Sequence, residues 1–156
     1  MPKQRDRYRS GFEERIARQL EVAGVKFEYE KEKYKYRTRV TMGICGKCDH
    51  TTVYQQRTYT PDFLLVPSGI RIEVKGRLTA KDRSKLAAVV EQNPSLDLRL
   101  IFGQDNKINK NSNTRYSDWA NQHNIPFHLK VIPSEWLVAQ GPRHQKSRSL
   151  ATTTDK

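Results

Sequence analysis

"TYTPDFLLVPSGIRIEVKG", residues 58–76, reads as two short strands around a turn, with three ionisable groups set among Phe, Leu, Val and Ile. Charge is seldom placed where apolar burial is being maximised, so Asp62, Glu73 and Lys75 need a reason. Strand side chains alternate between faces. Ile70, Ile72 and Val74 therefore share one face, and Arg71, Glu73 and Lys75 the other. The place of Asp62 depends on the turn. A loop of Pro67-Ser68 sets it opposite Glu73; a loop of Ser68-Gly69 sets it opposite Lys75. Either register gathers all three charges on one face, and a one-residue slip would separate them. A three-residue loop would need a bulge to restore the cluster.

Two carboxylates forced together repel, and one pKa rises unless a cation lies between them. A hard divalent cation such as Mg²⁺ prefers oxygen ligands and keeps waters and substrate phosphate in its shell. A neighbouring lysine can orient or deprotonate the attacking water, or stabilise charge on a phosphate. The set suits metal-assisted hydrolysis of a phosphodiester. The plainer reading is an Asp at a strand start and a Glu–Lys pair on one strand face. The formal charge of +12, from 29 Lys and Arg against 17 Asp and Glu, tips the balance toward a nuclease. A basic surface attracts a polyanion and releases its counterions.

Working outward, Ser10 is a helix N-cap with Glu13 at capping-box spacing. Phe12, Ile16 and Leu20 give the helix one apolar face, and Gly24 ends it. The stretch 25–37, "VKFEYEKEKYKYR", reads as a strand. Thr79 caps a second helix over 80–92, stopped by Asn93-Pro94. A strand at 96–102 follows, buried at Leu98, Leu100 and Ile101. Then come a polar loop over 103–114, a short helix at Ser117–His123, a last strand in "IPFHLKVI" and a helical turn in "PSEWL". The order predicts one mixed α/β sheet flanked by helices. The expected organisation is a basic arm at 1–9, a domain at 10–139 with an inserted CxxC hairpin at about 40–57, and a basic disordered tail at 140–156. No apolar run approaches the ~18 residues of a membrane span, and no signal peptide is apparent, so an intracellular protein without a membrane partner is expected.

Asp62, then Glu73-Val74-Lys75, resembles the PD-(D/E)xK nuclease signature. More narrowly, "RSGFEERIARQLEVAGVKFEYE", "YTPDFLL", "IEVKG" and "IPSEWL", in this order, resemble phage endonuclease I, the Holliday-junction resolvase family of T-odd podoviruses. The likeness runs from about Arg9 to Leu137. It implies a restriction-endonuclease-like fold, an intertwined, domain-swapped homodimer and action on branched DNA in the host cytoplasm, leaving 5′-phosphate ends. It implies Mg²⁺ or Mn²⁺ as cofactor, and Glu13, Asp62, Glu73 and Lys75 as catalytic positions, with Asp62, Glu73 and Glu13 toward the metal. Glu13 thus has two competing jobs, helix capping and catalysis. Two other readings stay open: a restriction- or repair-type nuclease on linear duplex, and a non-catalytic DNA-binding module.

The chain departs from the family pattern between Tyr36 and Tyr59, where Cys45, Cys48, Asp49 and His50 lie in added sequence. "CGKC" has the look of a zinc knuckle, but a tetrahedral site needs four ligands and no second close pair exists. Reduced cysteines on a loop are the favoured reading over structural Zn²⁺, unless two copies meet. Arg5, Arg7, Arg9, Arg71, Arg77, Lys81, Arg83, Lys85, Lys107, Lys110 and Arg115 supply phosphate contacts collectively, although any single one is read first as a solvated charge. Trp119 and Trp136 are assigned to the core. His123, His128 and His144 receive no role.

Overall fold

The computed structural model describes residues 7–41 and 52–138. Helix α1 (Gly11–Val22) starts at Ser10, whose side chain accepts from the Glu13 amide at 3.1 Å. Its buried Ile16, Ala17 and Leu20 form the inner face. Strand β1 (Phe27–Tyr29) follows, then β2 (Tyr34–Thr41) and β3 (Thr52–Tyr59). Next come β4 (Phe63–Leu65), β5 (Ile70–Lys75), helix α2 (Ala80–Gln92), β6 (Leu98–Phe102), helix α3 (Tyr116–Gln122), β7 (Phe127–Leu129) and the turn α4 (Ser134–Leu137).

The main sheet runs β1-β4-β5-β6-β7. The β1–β4 and β4–β5 pairs are antiparallel; β5–β6 and β6–β7 are parallel. Alternation divides the core between two faces. Phe63, Leu65, Ile70, Ile72, Val74 and Ile101 pack with α1 and Trp136 on one side. Leu98, Leu100 and Phe102 pack with Leu86, Val89, Tyr116 and Trp119 on the other. Both tryptophans are thus core residues.

The stretch 25–37, expected to be one strand, divides at Glu30. Glu30 adopts φ +49°, a left-handed conformation that L-residues seldom take. Its amide donates to Asp62 O at 2.9 Å and its carboxylate meets Arg9 at 2.9 Å, which offset the backbone cost. The chain leaves the main sheet there. β2 and β3 then form a separate antiparallel ribbon, from Tyr34↔Tyr59 to Thr41↔Thr52. Residues 52–57 therefore belong to a ribbon strand, a longer pairing than the inserted hairpin read from sequence. Cys45, Cys48, Asp49 and His50 lie outside the described residues, as do Arg5, His144 and the tail.

The ribbon is held at its root. Gln92 accepts from the Arg37 amide at 2.7 Å and donates to Arg37 O at 2.9 Å; Asn93 donates to Lys35 O at 3.2 Å. Tyr36 and Tyr59 enter the α2 side of the core. The last strand is shorter than "IPFHLKVI" suggested, because Lys130 takes φ +67° and turns the chain away.

Phe63 is fully buried and its ring lies 5.6 Å from Phe27 and 5.3 Å from Tyr29, joining β1 to the α1 layer. Phe63→Ala is expected to cost about 3–5 kcal/mol. Urea denaturation followed by circular dichroism measures this; a cost below about 1 kcal/mol would contradict the packing described.

Candidate active site

The β4–β5 hairpin fixes the acidic pair. Its register is Phe63↔Ile72, Leu64↔Arg71 and Leu65↔Ile70, around a four-residue turn at 66–69. Gly69, at φ +68°, bonds back to Leu65 O at 2.8 Å. Carried one step further, the register sets Asp62 opposite Glu73. This is the alignment expected of a Pro67-Ser68 loop, reached with a longer turn.

Each acidic group is held differently. Glu73 is buried; its Oε2 accepts from the Tyr59 hydroxyl at 2.6 Å and its Oε1 meets Lys75 Nζ at 3.0 Å. Asp62 Oδ2 accepts from the Val74 amide at 2.7 Å. Lys75 also reaches Asp82 Oδ1 at 3.4 Å. Asp82 is the third residue of a capping box on α2: its Oδ2 accepts from the Thr79 amide at 3.1 Å, while Thr79 Oγ1 accepts from the Asp82 amide at 3.1 Å. The turn that starts α2 is thereby tied to the end of β5.

Glu13 is buried near this group but turned toward its own helix start. Its Oε2 accepts from the Tyr29 hydroxyl at 2.7 Å and from the Arg9 amide at 3.0 Å; Ser10 Oγ donates to Oε1 at 3.0 Å. The capping box expected from Ser10 and Glu13 is therefore altered. The glutamate reaches the Arg9 amide and the Ser10 hydroxyl rather than the Ser10 amide.

Electrostatics follow from this geometry. Burial, then the charge of Glu73, pushes the Asp62 carboxyl up to about 8; the Val74 amide opposes the rise, Glu13 adds to it, and Lys75 opposes it. Burial works against the Lys75 ammonium, but Glu73 and Asp82 outweigh it and its pKa stands above the usual lysine value. Burial and the Glu73 charge hold the Tyr59 hydroxyl well above its usual range, so it remains a donor.

Among the described residues no group of three or more His, Cys, Asp or Glu is arranged to hold a metal ion. Asp62 and Glu73 nevertheless fit one. They are hard oxygen donors set opposite each other whose mutual repulsion Lys75 and the Val74 amide offset only in part, and Mg²⁺ commonly takes one or two carboxylates, completing its shell with water and phosphate.

The basic residues divide. Arg71 grips Glu32 through Nε at 2.8 Å and Nη2 at 2.9 Å, and donates to Gly69 O, so its guanidinium is committed within the fold. Arg9 pairs with Glu30, and Lys85 lies 3.9 Å from Asp82 and over the Tyr59 ring. Arg7, Arg77, Lys81, Lys107 and Lys110 are exposed; Arg83 is half-buried, donating to Leu78 O at 3.0 Å. Sequence reasoning missed Tyr59, Tyr29 and Asp82. Tyr59 stood three residues before Asp62 in the opening stretch, and Asp82 three after the Thr79 cap; neither spacing reveals that the side chain reaches the cluster.

The sequence pattern described as "Phage endonuclease I" matches residues 2–155. Endonuclease I of Escherichia phage T7 is 40% identical over 131 residues, covering 83% of this chain and 78% of that protein. Endodeoxyribonuclease 1 of Enterobacteria phage T3 is 41% identical over 127 residues, covering 81% and 74% respectively. Identity of this extent makes the protein a phage DNA endonuclease. The chain belongs to the phage endonuclease I family.

The raised Asp62 pKa has a signed consequence for the metal-free protein. Between the ordinary value of 3.8 and about 8 the folded chain keeps a proton that the unfolded chain has lost, so this group lowers stability as pH rises through that window. In EDTA, Asp62→Asn should raise Tm relative to wild type, by a margin that grows from about pH 4 to pH 8 and then levels off. Parallel Tm-versus-pH curves for the two proteins would remove this assignment.

Proposed function

We propose that this endonuclease cuts four-way and other branched DNA by divalent-metal-assisted hydrolysis of the phosphodiester backbone. The observation that carries the chemical part is the opposed pair Asp62 and Glu73, with Lys75 bonded to Glu73 at 3.0 Å. Asp62 and Glu73 would hold Mg²⁺ or Mn²⁺. The bound ion would offset their repulsion and polarise a phosphate oxygen. Tyr59 fixes one Glu73 oxygen and thereby aims the other. Lys75, kept cationic by Glu73 and Asp82, stabilises charge gathering on the phosphate and orients water. It is a poor base in this setting, because its proton is held more tightly than usual. Glu13, on a separate element, would reach the site only by releasing Tyr29 or Arg9, and so is assigned to orienting water or completing the metal shell.

The restriction-endonuclease-like fold is part of the same reading. It is supported by a mixed sheet whose antiparallel half bears the acidic hairpin. The homodimer is supported by the β2–β3 ribbon. A two-stranded ribbon alone is marginal in water, and Val53 and Tyr54 stand 39% and 58% exposed on it. If β2 pairs with a partner's β3 instead of its own, the same contacts form between protomers and the chains intertwine. Two such sites, related by two-fold symmetry, suit a junction with two strands to nick. The place of action would be the host cytoplasm. Among the described residues no helix is long and apolar enough to cross a membrane.

Cleavage of a synthetic four-way junction beside a duplex of matching sequence tests the substrate. The junction should be cut much faster with Mg²⁺, and equal rates would favour a nuclease for linear duplex. Glu73→Ala and Lys75→Ala should each lower cleavage by at least ~10³-fold while leaving junction affinity within about tenfold. Undiminished cutting by either variant would remove the assigned roles. Tyr59→Phe should fold, cut more slowly and require more Mg²⁺ for half-maximal rate; an unchanged Mg²⁺ requirement would limit Tyr59 to packing.

A further inference from the structure

Beyond the acidic cluster, one cavity stands out by its charge. It has a volume of about 560 Å³ and lies between the turn from β5 to α2 and the loop that follows β6. Arg77, Arg83, Lys107 and Lys110 line it, and among the described residues no carboxylate does. Several cations elsewhere in the fold are paired with acids: Arg9 with Glu30, Arg71 with Glu32, Arg99 with Asp97, Lys75 with Glu73 and Asp82. Four cations on one concave surface without a carboxylate make a site for an anion.

The walls are fixed in advance. Arg83 Nη1 donates to Leu78 O at 3.0 Å and to Ile108 O at 3.5 Å, stitching the two walls together. The loop, read from sequence as merely polar, is closed by its own bonds. Ile108 N meets Thr114 O and Tyr116 N meets Asn106 O, each at 2.9 Å, while Asp105 accepts from the Ser117 amide at 2.9 Å and hydroxyl at 2.7 Å. A loop so braced, with Lys107 and Lys110 exposed, presents its charges without further ordering cost.

Its position relates it to the chemistry. Lys75 and Phe102 are register partners, and Gly103 N bonds to Lys75 O at 3.1 Å. Both walls therefore begin at the end of the sheet where Lys75 sits, at the carboxyl ends of two parallel strands. We propose that this cavity binds one backbone phosphate of the DNA at a fixed distance along the strand from the cut bond, through Arg77, Lys107 and Lys110. Arg83 is a positioning residue that holds the walls together. This rests on the reading of the acidic cluster as the cutting site. It adds a defined phosphate subsite that sets how far along the strand the cut falls.

The test measures junction affinity in EDTA, where no cutting occurs, over a range of salt. The double variant Lys107→Gln/Lys110→Gln should lose roughly one power of ten in affinity near 0.1 M salt, and its log K against log salt slope should become shallower by about 1, as expected for one phosphate contact. A variant with the same charge loss away from the cavity, Lys26→Gln/Lys33→Gln, should keep most of both. Methylphosphonates placed singly along the DNA should weaken wild-type binding at one position, or two adjacent ones, at a constant offset from the cut. At that position the cavity variant should lose nothing further. A folded double variant, by its urea midpoint, with wild-type slope and affinity would overturn the proposal, as would equal sensitivity to methylphosphonate at every position. If the wild type neither binds nor cuts the junction, the functional reading fails and the subsite with it. If it does both and only the cavity variant is silent, the subsite alone fails.

Discussion

Asp62 and Glu73 face each other across an antiparallel pair, largely out of water, and their repulsion organises everything around them. A pair of this kind persists only if neighbours hold the charges where they are. The Val74 amide does so for Asp62; the Tyr59 hydroxyl and the Lys75 ammonium do so for Glu73. Lys75 in turn leans on Asp82, which caps α2. The start of a helix, the end of a strand and the root of the ribbon thus meet in one polar network. The surrounding apolar layers keep that network rigid enough to act on a substrate.

Much of this was legible in the sequence, for a reason that can be named. Period two along "IRIEVK" puts Ile70, Ile72 and Val74 in the α1 layer and leaves Arg71, Glu73 and Lys75 together, and the structure keeps that division. The register was harder. A turn of two residues and one of four can give the same alignment, and local sequence does not choose between them. The single strand read over 25–37 failed because a backbone reversal at Glu30 has no composition signal. It is imposed by Asp62 O and Arg9, both distant in the chain. Tyr59 and Asp82 escaped for a related reason: their partners become neighbours only when the sheet forms. Arg71 shows the limit of counting cations. Its charge was read toward DNA, whereas Glu32, from the turn beyond β1, takes its guanidinium in two bonds.

Helix α1 illustrates how local chemistry is redirected by tertiary structure. Ser10 and Glu13 have capping-box spacing, and Ser10 does cap. The glutamate, however, is drawn by the Tyr29 hydroxyl on β1 and bonds to the Arg9 amide, one residue before the cap. Its charge is still felt at Asp62. A residue whose local role is to begin a helix has thus become part of the field around the acidic pair.

The reversal at Glu30 separates two mechanical units. Among the described residues, α1 and β1 before it and the elements from β4 to α4 after the ribbon form or pack on the main sheet; the ribbon between them is bonded to that body near its base. An arm attached in this way can lengthen, shorten or acquire new sequence at its tip without transmitting distortion to the carboxylates. The fold therefore permits reach and chemistry to evolve independently, with one residue's backbone angle as the point of insulation.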